Sequence, residues 1–486
     1  VDSESIEHVD VLIVGAGIAG IAAAYHLQDK LPHKSSLILE ARDAIGGTWD
    51  IFRFPGVRSD SDMATLGFSF QPWVQDKAIA DGASILQYLR DAASAHGIDR
   101  KIRFQHRVKS ASWSSADAQW TVDVQRGPLG ETVRFSCGFL FICSGYINHA
   151  AGHMPEFPGI QRFAGRVVHP QQWTDDVEHA GQRVVVIGSG ATAMTLLPEL
   201  AKRAAHVTML QRSPTYVLAQ PQRDRIANAL RLLLPNAAAH RVARWKNVLK
   251  GTLFFSAARR YPERVKQFLI GRAKRALGPQ YDIDTHFTPR YKPWDQRLCL
   301  VPDGDLFAAL QSGRASVVTD TIDGFTETGI RVASGQVLEA DLIVAATGLE
   351  IQLMGNIAFT VDGRPIDIAR TYNYKGLMFS DVPNLAASFG YTNISWTLKC
   401  ELTVRYVCRL LRHMERNGLR QCTVRNRDPA NTKPDGLDFS PGYVIRALSQ
   451  FPRQGAKPPW KPHQNHLRDL FSLRYGALND GVMEFS

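Results

Sequence analysis

Cysteine is the first shortage in this chain. Only six of its 486 residues are cysteine: Cys137, Cys143, Cys299, Cys400, Cys408 and Cys422. They form no CxxC pair and no zinc-ligand spacing, which excludes a disulfide scaffold and a zinc module. Buried thiols in a reducing cytoplasm are expected instead. Charged residues make up 21% against 44% hydrophobic, ordinary usage that excludes disordered, collagenous and fibrous classes. Long apolar runs are missing as well, with one exception. Residues 11–28 carry no Asp, Glu, Lys or Arg and come close to the length of a membrane span. They contain Gly15, Gly17 and Gly20, and acidic residues (Asp2, Glu4, Glu7, Asp10) precede them in place of the basic flank of a signal peptide. The run reads as strand, turn and helix, so neither export nor membrane insertion is expected.

Acidic charge is the minority sign, 46 residues against 57 basic ones, for a net charge of +11. The excess is local. Residues 221–280 hold fourteen Lys or Arg against Asp224 and Glu263 alone, a balance of +12. The remainder is almost neutral. A nucleic-acid surface would spread further or interleave with stacking aromatics, so nucleic acid is not an expected partner.

At roughly 150 residues per domain, a chain of 486 residues suggests about three units. VDVLIVG, GIAGIAAAYHLQ and SLILE read as strand, helix and strand. The βαβ pattern returns in residues 182–188, a helix over 191–205, and a strand over 206–211. Two such units predict an α/β protein with two Rossmann-like dinucleotide-binding domains and a helical insertion. Residues 1–150 and 351–486 form the first domain in this reading, 151–219 and 290–350 the second, and 220–289 the basic helical insertion. A Gly-, Pro- and His-rich linker spans 145–165, and DLIVAATG (341–348) reads as a strand returning to a sheet.

GAGIAG at 15–20 places Gly15, Gly17, Ala19 and Gly20 where a strand turns into a helix. Glycines there allow a tight turn and let a pyrophosphate sit on the helix N-terminus. Glu40 ends the next strand, placed to accept from a ribose. The second fingerprint runs Gly188, Ser189, Gly190, Ala191, Thr192, Ala193, Met194. Its following strand ends in Gln211, Arg212 and Ser213 with no carboxylate, and a guanidinium suits a 2′-phosphate where an acid repels it. FAD in the first domain and NADPH in the second are expected; the alternative for Arg212 is a solvated strand end. Without a vicinal cysteine pair, a flavin disulfide reductase is disfavoured.

Residues 46–60 read GGTWDIFRFPGVRSD, and residues 163–174 read FAGRVVHPQQWT. The first matches GGxWxxxxFPGxxxD at every specified position. The second matches FxGxxxHxxxW through Phe163, Gly165, His169 and Trp173. In these motifs the chain resembles the type I flavin-dependent Baeyer–Villiger monooxygenases, and the resemblance runs over nearly its full length, including PWDQRLCLVP and GYTNISWTLK. It departs at Thr174, where members usually carry Pro or Asp, and at Gln296, where many carry Lys. His169 and Trp173 could equally pack the interdomain linker.

The resemblance implies FAD and NADPH/NADP+ as cofactors, and a C4a-peroxyflavin that inserts one oxygen of O2 beside a ketone carbonyl. It implies that Arg297 supports this species with Asp60 as its partner, since a fixed positive charge is what such an anion needs. On composition alone, an ordinary interdomain ion pair is the simpler reading of both. By the same resemblance Thr48 and Val108 contact FAD mainly through backbone atoms, Gly47, Trp49 and Asp60 belong to the cofactor-binding set, and Arg58 and Ser59 lie near the nicotinamide cofactor. Arg212 and Ser213 take the NADP phosphate, and Asn393 and Trp396 face the substrate. A lipophilic ketone or sulfide is the expected substrate. Two rival readings are a flavin monooxygenase acting mainly on sulfur or nitrogen, and an NADPH-fed electron-transfer flavoprotein. The basic insertion is either a solvated face or a peripheral contact with anionic membrane, given its LRLLLP and GTLFFS stretches.

Overall fold

The structure, a computed structural model, describes residues 6–428 and 440–486. Asp2 and Glu4 of the acidic flank, and residues 429–439 of the first domain's expected span, lie outside the described residues. The apolar run at the N-terminus forms the strand Glu7–Val14, whose last four residues are all buried. It pairs in parallel with Ser36–Leu39 on one side and with Glu131–Ile142 on the other. Strand order therefore reverses at Glu7–Val14, and a crevice opens beyond its carboxyl end.

The long strand Glu131–Ile142 has two neighbours on its other side. Its first half pairs antiparallel with Gln119–Arg126, which in turn pairs with His106–Ser114. Its last residues pair in parallel with Leu385–Ala387. Beyond His106–Ser114 the sheet gains Ala358–Val361, so the chain returns to the first sheet after leaving the second. Trp113 and Trp120 lie in the core beneath this extension.

The second sheet is parallel throughout, in the order Ala315–Thr319, His206–Gln211, Arg183–Ile187, Leu342–Ala345, Arg166–Val168. Order reverses again, now at Arg183–Ile187, which Gly188 follows. The helix after it covers Ala191–Leu200, shorter than the sequence suggested. Beyond Leu200 the amides of Lys202 and Arg203 bond three residues back, and the amide of Ala205 turns to Gln182. These contacts tighten and end the helix.

Residues 225–286 are helical, as Arg225–Leu233, Asn236–Arg260, Pro262–Leu277 and the short Ile283–His286. Asp224 caps the first by accepting from the amide of Ala227, and Pro262 opens the third where its missing N–H costs nothing. The insertion packs in two places, on the second sheet's core and in a small separate cluster. Ala273 and Leu277 join the core of the second sheet, while Val248 packs with Tyr391 and Leu398. No helix among the described residues is long and apolar enough to cross a membrane. All six cysteines are buried free thiols.

Candidate active site

A cleft of about 870 Å³ lies between the two sheets, within the roughly 300–1,000 Å³ typical of small-molecule sites. Gly15, Gly17 and Ala19 line it. Gly15 has φ +104°, and a Cβ there would stand 2.6 Å from the carbonyl oxygen of Cys143, so only glycine makes this turn. Gly20 touches the turn as well, since a Cβ on it would meet the carbonyl oxygen of Gly15. A Cβ on Gly17 would lie 3.8 Å from the Cα of Gly47, an ordinary contact. The helix Ile18–Lys30 starts at Gly17 with no side-chain cap. Its first amides are left for a ligand, as a dinucleotide pyrophosphate requires.

Glu40 is buried beside this turn. It accepts from the amides of Ala16 (2.7 Å) and Arg42 (2.9 Å), leaving lone pairs for hydroxyl donors. Arg42, not singled out by the sequence, lines the same end. One of its nitrogens pairs with buried Asp50, while its Nη1 is shielded and has no partner. An anionic group would satisfy it. His149 sits nearby, its pKa lowered to about 4 by loss of solvent and by the charges of Arg42 and Arg107. Thr48, Trp49 and Val108 complete this wall.

The GGxWxxxxFPGxxxD segment crosses from this cradle to the second sheet. Phe54 and Val57 belong to the second sheet's core. Gly56, at φ +77°, lies against Thr195 and Glu199 of helix Ala191–Leu200. Arg58 then pairs with Asp305, on the opening turn of helix Asp305–Gln311, and Ser59 is buried, donating to the carbonyl of Ser61. The segment ends in an ion pair: Asp60 Oδ2 stands 2.6 Å from Arg297 Nη2. Both side chains remain about a third open, 35% and 36%, because they face the cleft. Burial opposes the Arg297 charge, but Asp60 outweighs it and raises the pKa above the ordinary arginine value. The guanidinium is permanently charged.

Tyr146 stacks on Trp396 with ring centroids 4.9 Å apart, and both line the cleft beside Arg297. Burial raises the Tyr146 hydroxyl against the pull of Arg297, and Tyr443 is raised in the same way. Both phenols are therefore neutral donors. Cys299, beside the same pair, is pushed up to about 12 by burial and Asp60, so it is an inert thiol. Asn393 stands back from this wall, donating to the carbonyl of Gln464 at 2.9 Å.

Ala191, Thr192 and Met194 of the second fingerprint reach the cleft, while Ala193 is packed in the core. A Cβ on Gly190 would meet nothing within 4 Å, and helix Ala191–Leu200 begins there uncapped. Gly188 has φ +126° and packs on Ala346. Ser189 donates to the carbonyl of Ser213 at 2.9 Å. This holds Arg212 and Ser213 beside the uncapped end. Arg212 is exposed and forms no ion pair among the described residues.

The FxGxxxHxxxW segment lies where two connectors cross between the sheets. These connectors bond to each other, Asn148 amide to Glu350 carbonyl and Gln352 amide to Tyr146 carbonyl. His169 is buried, with Nε2 3.1 Å from the Gly348 carbonyl and Nδ1 accepting from the Gln171 amide. That arrangement requires a neutral ring with its proton on Nε2, and burial lowers its pKa accordingly. Gly165 approaches the Asp341 carbonyl too closely for a side chain. Phe163 packs with Phe325, and Trp173 enters the second sheet's core.

The sequence reading missed Arg42, Tyr146, Asp305 and Tyr443. Arg42 had a local signal, two residues after the strand-ending acid. Tyr146 follows the small residues that end a strand. Asp305 and Tyr443 carry no local pattern.

Residues 9–232 match the family described as flavin-binding monooxygenase-like. The FAD-containing monooxygenase EthA of Mycobacterium tuberculosis is 50% identical over 481 residues, covering 99% of this chain and 98% of that protein. Among solved structures, OTEMO in complex with FAD and NADP superposes with a TM-score of 0.75 at 20% identity, covering 98% and 99% of the two chains. Cyclohexanone-bound cyclohexanone monooxygenase also superposes at 0.75 and 20% identity, covering 99% and 100%.

Proposed function

Because this chain belongs to the flavin-binding monooxygenase-like family and is an FAD-containing monooxygenase, we propose that it performs a Baeyer–Villiger oxidation. One atom of O2 enters beside a ketone carbonyl to give an ester or lactone, and NADPH and a proton take the other to water. The observation that carries this reading is the Arg297–Asp60 pair at 2.6 Å, inside a cleft that both fingerprints line. FAD and NADPH, when bound, supply the electrons and the activation of O2.

The chain's own residues do the rest. The uncapped helix after Gly17, with Arg42 and Glu40, holds the FAD, and the one after Gly190, with Arg212 and Ser213, holds the NADP. Arg297 presents a charge that cannot be lost to a base, and Asp60 fixes its direction. Fixed charge at the point where negative charge develops stabilises a transition state without reorganisation. Tyr146 and Trp396 wall off the reacting side, which limits the entry of water. His169 and Gln171 bond to the connectors at Gly348 and Asn148, while Trp173 anchors their segment in the second sheet's core, so the two nucleotide sites keep their relative placement.

Oxidation of sulfides or thioamides is the side activity of the same site. A flavin monooxygenase acting mainly on sulfur is the second reading. Offering the holoenzyme a ketone and a thioether together, with NADPH, separates the two by product mass. Ester in excess of sulfoxide supports the first reading; sulfoxide alone supports the second. We assign its work to the cytoplasm, with buried free thiols as support. Exposed Leu232 and Leu233 within the basic insertion support peripheral contact with anionic membrane.

A further inference from the structure

A second recess, of about 290 Å³, lies where the long insertion helix Asn236–Arg260 meets helices Trp396–Arg416 and His466–Tyr475. Its wall carries Arg241, Arg244, Arg405 and Arg474 against a single carboxylate, Glu401. Glu401 is already engaged. Its Oε2 accepts from Arg244 at 2.7 Å, and its Oε1 accepts from the amide and hydroxyl of Ser69 at 2.8 Å each. Arg244 is equally committed, with Nη1 donating to the carbonyls of Gly67 and Ala64. That buried pair cancels its own charge.

Three guanidiniums remain. Arg241, Arg405 and Arg474 form no ion pair among the described residues. Arg405 donates from Nη2 to Ser69 Oγ, while its Nε is shielded and unpartnered. His466, only 7% exposed, lines the recess, and its Nδ1 is also shielded and unpartnered. A shielded guanidinium nitrogen without an acceptor, beside a shielded imidazole nitrogen and among like charges that repel, favours a bound acceptor. An oxyanion is such an acceptor.

The same helices carry apolar side chains in the open. Trp245, on the wall of the recess, heads a row continued by Leu249 and Leu253 at spacings of four residues, all exposed. Phe471 and Tyr475 form a second exposed pair next to lining residues Leu470 and Arg474. Polar recess and apolar rows are complementary to the two ends of one amphiphile.

We propose that this recess binds a single oxyanion-headed amphiphile, a fatty carboxylate or an alkyl phosphate, with the head between Arg405, Arg474 and His466 and the tail along Trp245 and Leu249. This site is separate from the nucleotide cleft and does not depend on the oxidation assigned to it.

The test is calorimetric titration of the FAD- and NADP+-saturated enzyme with monomeric dodecanoate, dodecyl phosphate and dodecanol, and with phosphatidylglycerol vesicles in a separate arm. The two anions are expected to bind one per chain, about tenfold or more tighter than the alcohol, since hydrogen bonds to charged groups dominate such differences. Replacing the exposed head-binding guanidinium, by Arg474→Gln or by Arg474→Glu, is expected to weaken both anions by about tenfold or more at unchanged FAD content. Equal binding of dodecanol, unchanged binding in both variants, or binding to vesicles without binding of monomers overturns the proposal.

Discussion

In the proposed reaction, Arg297 is a charge held where negative charge develops. Its partner Asp60 ends one motif, while Arg297 itself comes from a distant segment, and the two meet at 2.6 Å. Truncation by Arg297→Ala is expected to leave reduction of the flavin by NADPH nearly intact and to lower ester formation by about 10²–10³-fold, the usual loss for one charge-stabilising donor. Stopped-flow reduction beside product assay measures both, and full ester formation in the variant contradicts the role. Arg212 makes a different prediction. If its exposed guanidinium takes the 2′-phosphate, as proposed, Arg212→Ala raises the KM for NADPH roughly ten- to hundredfold and leaves that for NADH alone. A parallel rise for both cofactors speaks against a 2′-phosphate contact. These residues were legible because each sits in or next to a motif. Asp305 and Tyr443 were not, because an ion pair or a phenol brought in from another element leaves no periodic trace. Asn393 was named with Trp396 for the substrate side, yet its amide is tied to Gln464; a hydrogen bond to a distant loop is invisible in sequence.

At the scale of elements, the two strand–turn–helix units were plain in the sequence because apolar runs and glycine spacing are local properties. Their relation was not. The crossing of GGxWxxxxFPGxxxD from one nucleotide site to the other depends on Gly56 fitting against Thr195 and Glu199, a contact between segments far apart in the chain. Gly15 offers the sharper test, since its φ of +104° and the 2.6 Å approach to Cys143 exclude a side chain. Gly15→Ala is expected to give protein with most of its FAD lost on purification, read as flavin absorbance per chain. Retention of full flavin would show that the turn tolerates a Cβ and that the cradle has been misidentified. The overlong helix reading at 191–205 has a simple cause: alanines at 201, 204 and 205 favour helix, but the backbone bonds available after Leu200 favour a turn.

For the whole molecule, part of the acid sensitivity lies where the insertion meets the first domain. Burial lowers His240 and His466 from 6.5 to about 4. The unfolded chain therefore takes up protons between pH 6.5 and about 4 that the folded chain refuses, and stability is full above that window and falls within it. Glu401 acts in the same direction: burial opposes its charge, but Arg244 beside it holds the carboxyl well below the ordinary range, so its contribution is lost as pH falls below the usual carboxylate value. Chemical denaturation at pH 7.5 and pH 5 should differ by on the order of 1–2 kcal/mol for each buried histidine. Equal midpoints contradict the burial of neutral rings.

In the proposed function, fixed charge in the cleft directs one oxygen atom of O2 into a carbonyl compound. The most direct measurement is a single reaction of holoenzyme, NADPH and a cyclic ketone under ¹⁸O-labelled oxygen gas, with the product analysed by mass. A lactone carrying one labelled atom, formed in step with NADPH consumption, is the expected product. NADPH consumption that yields hydrogen peroxide and unchanged ketone contradicts it.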